Sequence, residues 1–155
     1  MIYIGADHRG FELKAKVNKW LAGREYDFED MGAFEYDKSD DYVDFAIAVA
    51  QKVAQSPEKH WGILMCGSGV GMTVAANKVR GIRAGLGFAP DQVFAGRKED
   101  GINVLVLPAE SLEEVEALDL VEKFLETEFV KSDSYLRREE KITRYENDDS
   151  HGKRS

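Results

Sequence analysis

Apolar runs alternate with segments of helical periodicity along nearly the whole chain, and this alternation constrains the fold more than any single motif does. Met1 to Ala6 reads as a first strand, after which Leu13, Val17, Trp20 and Leu21 recur at helical spacing and Gly23 is suited to stop the helix. Tyr26 to Met31 predicts a second strand, and Tyr42 to Gln55 a helix carrying Phe45, Ile47, Val49 and Val53. His60 to Cys66 predicts the third strand, followed by a short helix over Val70 to Val79. Ile82 to Gly87 and Asn103 to Pro108 predict the fourth and fifth, with a helix near Asp91 to Glu99 between them. A long amphipathic helix runs from Ser111 to about Thr127, and another begins near Ser134. Strands that are apolar on both faces and separated by helices belong in a parallel sheet covered on both sides. The expectation is one α/β domain over residues 1–146, with a polar, disordered tail at 147–155.

Composition limits what such a domain can do. With 155 residues, 43% of them hydrophobic, the chain can bury a substantial core without staples. Its single cysteine cannot close an intramolecular disulfide, and no apolar run approaches the roughly 18 residues that cross a bilayer. The start, MIYIGADHRG, lacks the basic leader and long apolar centre of a signal peptide, so a cytoplasmic protein with no membrane partner is expected. A net charge of -8 disfavours nucleic acid, which needs a positive surface field. A small anionic substrate remains open, because a few local cations and backbone amides suffice to hold it.

Open parallel sheets bind ligands beyond the carboxyl ends of their strands. Three segments fall there: Gly5-Ala6-Asp7-His8-Arg9-Gly10, Cys66 to Gly71, and Gly87 to Pro90. In the second, the turn Gly67-Ser68-Gly69-Val70-Gly71 joins a strand to a helix, where glycines allow close backbone approach and unpaired N–H groups favour an anion. Cys66 has two readings here. Buried among apolar groups it would be a small neutral packing residue; at a helix N-terminus it would be driven towards the thiolate. The turn reads GxGxG, with no acidic residue about 20 positions on and no GxxxxGK[ST] in the chain, so nucleotide binding is weakly supported. Asp7 suits a helix cap. Together, an acid, an imidazole, a thiol and an anion-holding turn at one sheet edge meet the needs of proton abstraction next to a carbonyl. The three histidines, His8, His60 and His151, are far apart in sequence and there is no HxxxH, so metal catalysis is not expected.

Five stretches resemble the family of ribose-5-phosphate isomerase B and galactose-6-phosphate isomerase: IGADHRGFELK, DYVDFA, GILMCGSGVGMTVAANKVRGIRA, NVLVL, and FLETEF followed by RREEKI. The resemblance covers roughly Met1 to Ile142. It implies a Rossmann-like three-layer sandwich with a five-stranded parallel sheet, a C-terminal helix for subunit contact, a homodimer or tetramer, and no metal or organic cofactor. It implies aldose–ketose interconversion of a phosphorylated sugar, ribose 5-phosphate foremost, through an enediolate. By the same resemblance Cys66 shuttles the proton, Ser68 assists, and the backbone of Gly67, Gly69, Val70 and Gly71 holds the enediolate oxygens. Asp7, His8 and Tyr42 line the sugar and phosphate pocket, Asp100 occupies a substrate-binding place, and Arg138 arrives from a neighbouring subunit.

Three departures stand against these matches. Where many members carry a ring-opening histidine in an R-x-H-N-D-like stretch, Arg97-Lys98-Glu99-Asp100 puts Glu99 and Asp100. An arginine expected after the fifth strand is Glu110, and the GGRHQ-x-R segment has become Ser132-Asp133-Ser134-Tyr135-Leu136-Arg137-Arg138, keeping only its second arginine. Serine and glutamate cannot match phosphate as the guanidinium fork does. Phosphate recognition is therefore expected to shift towards Arg9, Lys98, Arg137 and Arg138, or the sugar to differ. Glu99 acting as the ring-opening acid or base is one alternative, and a tetrose phosphate that cannot form a furanose is another. A non-catalytic subunit of a hetero-oligomer is a third, opposed by retention of Cys66.

Overall fold

The computed structural model describes residues 1–148. Five parallel strands, β1 (Ile2–Ala6), β2 (Phe28–Asp30), β3 (Trp61–Cys66), β4 (Ala84–Leu86) and β5 (Val104–Pro108), lie in the order β2-β1-β3-β5-β4. Helices α1 (Phe11–Gly23), α2 (Tyr42–Ala54), α3 (Val70–Ala76), α4 (Pro90–Asp100) and α5 (Glu114–Glu126) connect or follow them. A last helix, α6 (Asp133–Asn147), ends the described part of the chain. The expected parallel α/β sandwich is what forms. β1, β3 and β5 start one residue later than predicted, β2 and β4 are shorter at both ends, α2 and α5 are also shorter, α3 stops early at Ala76, and α4 extends past its predicted bounds at both ends. Most of the expected tail, 149–155, lies outside the described residues, whereas Asn147 closes α6.

The side-chain alternation of the strands sorts the core into two layers. Ile4, Ile63, Met65, Leu105 and Leu107 face α1 and α5, meeting Leu13, Val17, Leu21, Leu120, Val121 and Phe124. Tyr3, Leu64, Cys66, Val104 and Val106 face α2 and α3, meeting Ala46, Val49, Val53, Met72 and Ala76. Each fully buried side chain of this size stabilises the fold by about 1.5–3 kcal/mol relative to exposure. Lys14 is the exception within the first layer: it is buried, and its Nζ lies 2.6 Å from both oxygens of Asp30, which also accepts from Asn18 and from the Gly32 N–H. The pair ties α1 to the end of β2.

The order of strands places the site. From β1 the chain moves outward to β2 and then returns across β1 to β3, so the winding reverses between β1 and β3, where ligands enter such sheets. Asp7 and Cys66 meet at that crevice, because the register pairs Ala6 with Met65. α6 packs differently. It has no buried residue, and its polar links, Glu139 to Arg83 at 3.4 Å and Glu146 accepting from the Gly81 N–H at 2.9 Å, lie at the amino end of β4.

Candidate active site

The turn after β1 is held by its own acid. Asp7 Oδ1 accepts from the backbone N–H groups of Arg9 at 2.9 Å and Gly10 at 3.1 Å, so it closes the turn, whereas the N-cap of α1 is Gly10 and not the expected aspartate. Gly10 lies flat on β3, so closely that a Cβ there would fall 2.3 Å from the Met65 carbonyl oxygen. His8 follows, its ring edge-on to Tyr36 at 6.3 Å. One oxygen of Asp40 lies 2.7 Å from His8 Nδ1 and accepts from the His8 backbone N–H at 3.0 Å.

The turn after β3 surrounds the sulfur of Cys66. The residue is 5% exposed, and the N–H groups of Gly69 and Met72 point at Sγ. Burial and the helix start act on the thiol in opposite senses. Burial pushes the thiol up from its ordinary value of 9.0, and the two amides pull it down by less, so the isolated chain holds a neutral thiol near neutral pH. Gly69 adopts φ +75°, which turns the chain into α3 without side-chain strain. The Ser68 hydroxyl accepts the Val70 N–H at 3.3 Å, so Val70 itself is an exposed side chain whose amide is already engaged. Tyr42 lies against Gly71, where a Cβ would be 2.6 Å from its ring carbon Cζ. The end of β5 closes the turn from behind: Ala109 N–H donates to the Cys66 carbonyl at 2.8 Å and Glu110 N–H to that of Gly67 at 3.1 Å.

These groups line one cleft of about 430 Å³, which holds Asp7, His8, Tyr42, Cys66, Gly67, Ser68 and Gly71, together with Arg9, Lys38 and Asp40. A larger groove between α1 and α5, of about 590 Å³, has neither thiol nor imidazole and offers no comparable chemistry. Of the arginine and lysine residues expected to meet phosphate, only Arg9 reaches the cleft. Its Nε is 3.5 Å from Glu110 Oε1, both side chains being more than half exposed. Lys98 lies over Phe94, 5.3 Å from the ring centroid. Asp100 and Arg138 are not brought to the cleft by their own chain: Asp100 ends α4 just before the amino end of β5, and Arg138 lies on α6, over Tyr135. Both sit at the rim opposite Cys66.

Lys38 and Asp40 escaped the sequence reading. They belong to the acidic stretch Asp37-Lys38-Ser39-Asp40-Asp41, which looks like solvated surface, and nothing in sequence ties it to His8, 32 positions away. Asp7, His8 and Asp40 bring ligand-type atoms within 4.8 Å of one another. Hydrogen bonds already use these atoms: Asp7 Oδ1 accepts from the turn backbone, and His8 Nδ1 and Asp40 Oδ1 pair with each other.

Comparison with known proteins agrees with this geometry along the length of the chain. The sequence profile of the ribose/galactose isomerases matches residues 2–142. The chain belongs to the ribose/galactose isomerase family. Family membership makes it an aldose–ketose isomerase. A probable ribose-5-phosphate isomerase B of Mycoplasma genitalium is 39% identical over 145 residues, covering 94% of this chain and 95% of the relative. The crystal structure of ribose-5-phosphate isomerase B from Mycoplasma genitalium with bound ribulose 5-phosphate superposes with a TM-score of 0.92 at 38% identity, covering 95% of this chain and 96% of that one. That of the Thermotoga maritima ribose 5-phosphate isomerase does so with 0.86 at 41% identity, covering 92% and 97%. Among the described residues of this family member, no helix is long and apolar enough to cross a membrane.

Proposed function

We propose that the chain interconverts ribose 5-phosphate and ribulose 5-phosphate, with Cys66 carrying one proton between C2 and C1 through an enediolate. The observation that supports this reading most is the place of Cys66: its sulfur faces the cleft at the β1/β3 crevice and is ringed by amide donors. In the aldose direction the sulfur, as thiolate, takes the C2 proton. The C–H electron pair becomes the C1=C2 bond, and the carbonyl pair moves onto O1. The same thiol then protonates C1, while the O2 proton passes to O1 and C2 becomes the carbonyl. The Ser68 hydroxyl is within the cleft to relay that oxygen-to-oxygen transfer. The Gly71 amide lies in the first turn of α3 and has no partner within its own helix, so it is available to the oxyanion.

Phosphate has two cations within the chain, Arg9 and Lys38. A second copy supplies the others. Asp100 and Arg138 stand at the far rim of their own sheet, and large apolar side chains are left exposed on α3, after β4 and on α6: Val70, Val74, Phe88, Ile142 and Tyr145 are each more than half exposed. A homo-oligomer covers these and delivers Arg138 to the neighbour's cleft. Replacement of Cys66 by alanine should lower kcat/KM on ribose 5-phosphate by about 10²–10⁴-fold, the range of a lost general base; an unchanged value overturns the assignment. Ribose 5-phosphate, erythrose 4-phosphate and galactose 6-phosphate compared side by side name the sugar. Activity and light scattering followed together through dilution test the oligomer, since monomers lacking the partner's arginine should be nearly inactive.

A further inference from the structure

An aldose phosphate of five carbons exists almost wholly as a closed furanose, whereas proton transfer at C2 needs the open aldehyde. The isomerase reading, on which this inference rests, therefore requires a ring-opening acid–base group. Glu99, the residue at the place where the resemblance expects a histidine, lies near the end of α4, away from its own chain's cleft. The chain does bring one imidazole to the cleft. We propose that His8 and Asp40 form a dyad that opens the sugar ring, with His8 Nε2 as the proton-transfer atom and Asp40 as its positioning residue.

The geometry determines which nitrogen works. Asp40 Oδ1 accepts the His8 backbone N–H at 3.0 Å, which fixes that oxygen as an acceptor. The ring nitrogen 2.7 Å from the same oxygen must then carry a hydrogen, so the imidazole is the Nδ1–H tautomer. Nε2, which has no hydrogen-bond partner among the described residues, is left as the acceptor. The edge-on contact with Tyr36 fixes the ring plane. Asp37, also on this loop, and Asp7 are the other acids that face the ring. Asp40 is more than a cap for the backbone. Its side chain is 10% exposed, and its second oxygen is buried with no partner among the described residues. A neutral serine or asparagine would accept the same two bonds without leaving a charged oxygen desolvated. A carboxylate repays that cost when the ring beside it takes up a proton.

In the step, Nε2 takes the proton of the anomeric hydroxyl. The O1–H pair becomes the C1=O1 π bond, the C1–O4 bond breaks with its pair passing to O4, and O4 takes a proton from solvent water. The hydroxide so formed removes the proton from the imidazolium, and the dyad is restored.

Hydrogen exchange at C1, set against net turnover, provides the test. Ribulose 5-phosphate carries its phosphate on O5 and cannot close a five-membered ring on C2, so it enters the site already open. In Asp40→Ala, kcat/KM for ribose 5-phosphate and for ribulose 5-phosphate should fall together by about 10²-fold, as their fixed equilibrium constant requires, while solvent deuterium enters C1 of ribulose 5-phosphate at a rate within about threefold of the wild type's. The double variant His8→Gln/Asp40→Ala should be no worse on ribose 5-phosphate than His8→Gln alone. Nitrogen-15 NMR should show His8, identified by its absence in His8→Gln, as the Nδ1–H tautomer in the wild type and not in Asp40→Ala. Should Asp40→Ala fail to fold, Asp40→Asn carries the test: its amide oxygen can keep both hydrogen bonds but not the charge, and net turnover should fall about tenfold in both directions with deuterium entry kept. Deuterium entry lost in step with net turnover, no loss of net turnover, additive effects of the two variants, or an Nε2–H tautomer in the wild type would each overturn the dyad. A wild type inactive in both directions removes the isomerase reading itself; an active wild type with any of those results removes the dyad alone.

Discussion

Gly10→Ala is the substitution whose effect the structure determines most sharply. A Cβ at Gly10 would stand 2.3 Å from the Met65 carbonyl oxygen and 2.6 Å from its carbonyl carbon. Both belong to the backbone of β3, which is paired on its two edges with β1 and β5 and cannot yield. The turn after β1 must move instead, by about an ångström to reach ordinary contact. That motion breaks or stretches the Asp7 N–H bond to Met65, at 3.3 Å, and the Gly10 N–H bonds to the Asp7 carbonyl and carboxylate, both at 3.1 Å. Overpacking against an unyielding wall costs about 2–3 kcal/mol and the three weakened hydrogen bonds about 1 kcal/mol more, giving roughly 3–4 kcal/mol in all. In a protein of this size that lowers Tm by about 10 °C. Gly23→Ala is the matched control, since no heavy atom lies within 4 Å of its Cβ position and alanine favours a helix. Its Tm should equal the wild type's or exceed it slightly. Melts followed by far-ultraviolet circular dichroism decide, and a Gly10→Ala protein melting within 2 °C of the wild type refutes the reasoning. Turnover measured well below Tm should also fall, because the displaced turn carries His8.

Burial holds Cys66 neutral, so iodoacetamide should alkylate it more slowly than a free thiol at pH 8 and progressively faster as pH rises; a rate already at its plateau at pH 7 contradicts this. By linkage, the stability contributed by the neutral thiol is fully present below its ordinary value of 9.0 and is lost as pH rises through the higher folded value, which denaturant titrations of wild type and Cys66→Ala between pH 8 and 10 would show. Glu110→Gln frees Arg9 from a half-exposed ion pair that contributes at most about 1 kcal/mol, so KM for the sugar phosphate should drop about two- to fivefold; a higher KM means that Glu110 assists binding. Lys14→Met leaves Asp30 with Asn18 and the Gly32 N–H as its remaining partners and should destabilise the fold by about 3 kcal/mol in urea, more than the exposed Lys16→Met, which loses only its pairing with Glu114.

The sheet was legible because both faces of each long strand are buried, which leaves runs such as Ile63 to Cys66 without polar interruption. The crevice was legible for the same reason: parallel strands commit Asp7 and Cys66 to one edge before any tertiary detail is known. What sequence could not show is the balance acting on the sulfur. A helix start and an apolar strand end make opposite demands on a thiol, and only coordinates reveal that two amides reach Cys66 while the surrounding layer of Met72, Ala75 and Val106 excludes water. Asp40 was hidden because a loop, not a periodic element, carries it across to His8. Arg138 and Asp100 could be assigned only through resemblance, and one chain by itself leaves them on the wrong rim.

The raised thiol and the proposed proton transfer are compatible once base strength is weighed against base supply. With burial displacing its ordinary value of 9.0 upward, Cys66 carries the thiolate only rarely near neutral pH. Each further unit of pKa divides the thiolate population by ten. It also makes the surviving thiolate a stronger base towards a weak carbon acid, although by less than tenfold, since proton-transfer rates follow basicity only fractionally. The net effect of burial is a moderate loss, and the amides of Gly69 and Met72 limit it by opposing desolvation. The same two donors would bind any negative charge that returns to sulfur when C1 is protonated. A glycine turn that did no more than stabilise thiolate would make a poor base, and a sulfur buried without amides would ionise too rarely. Cys66 sits between these limits because Gly69, with its positive φ, lets one short loop turn amides towards the sulfur at the floor of the cleft.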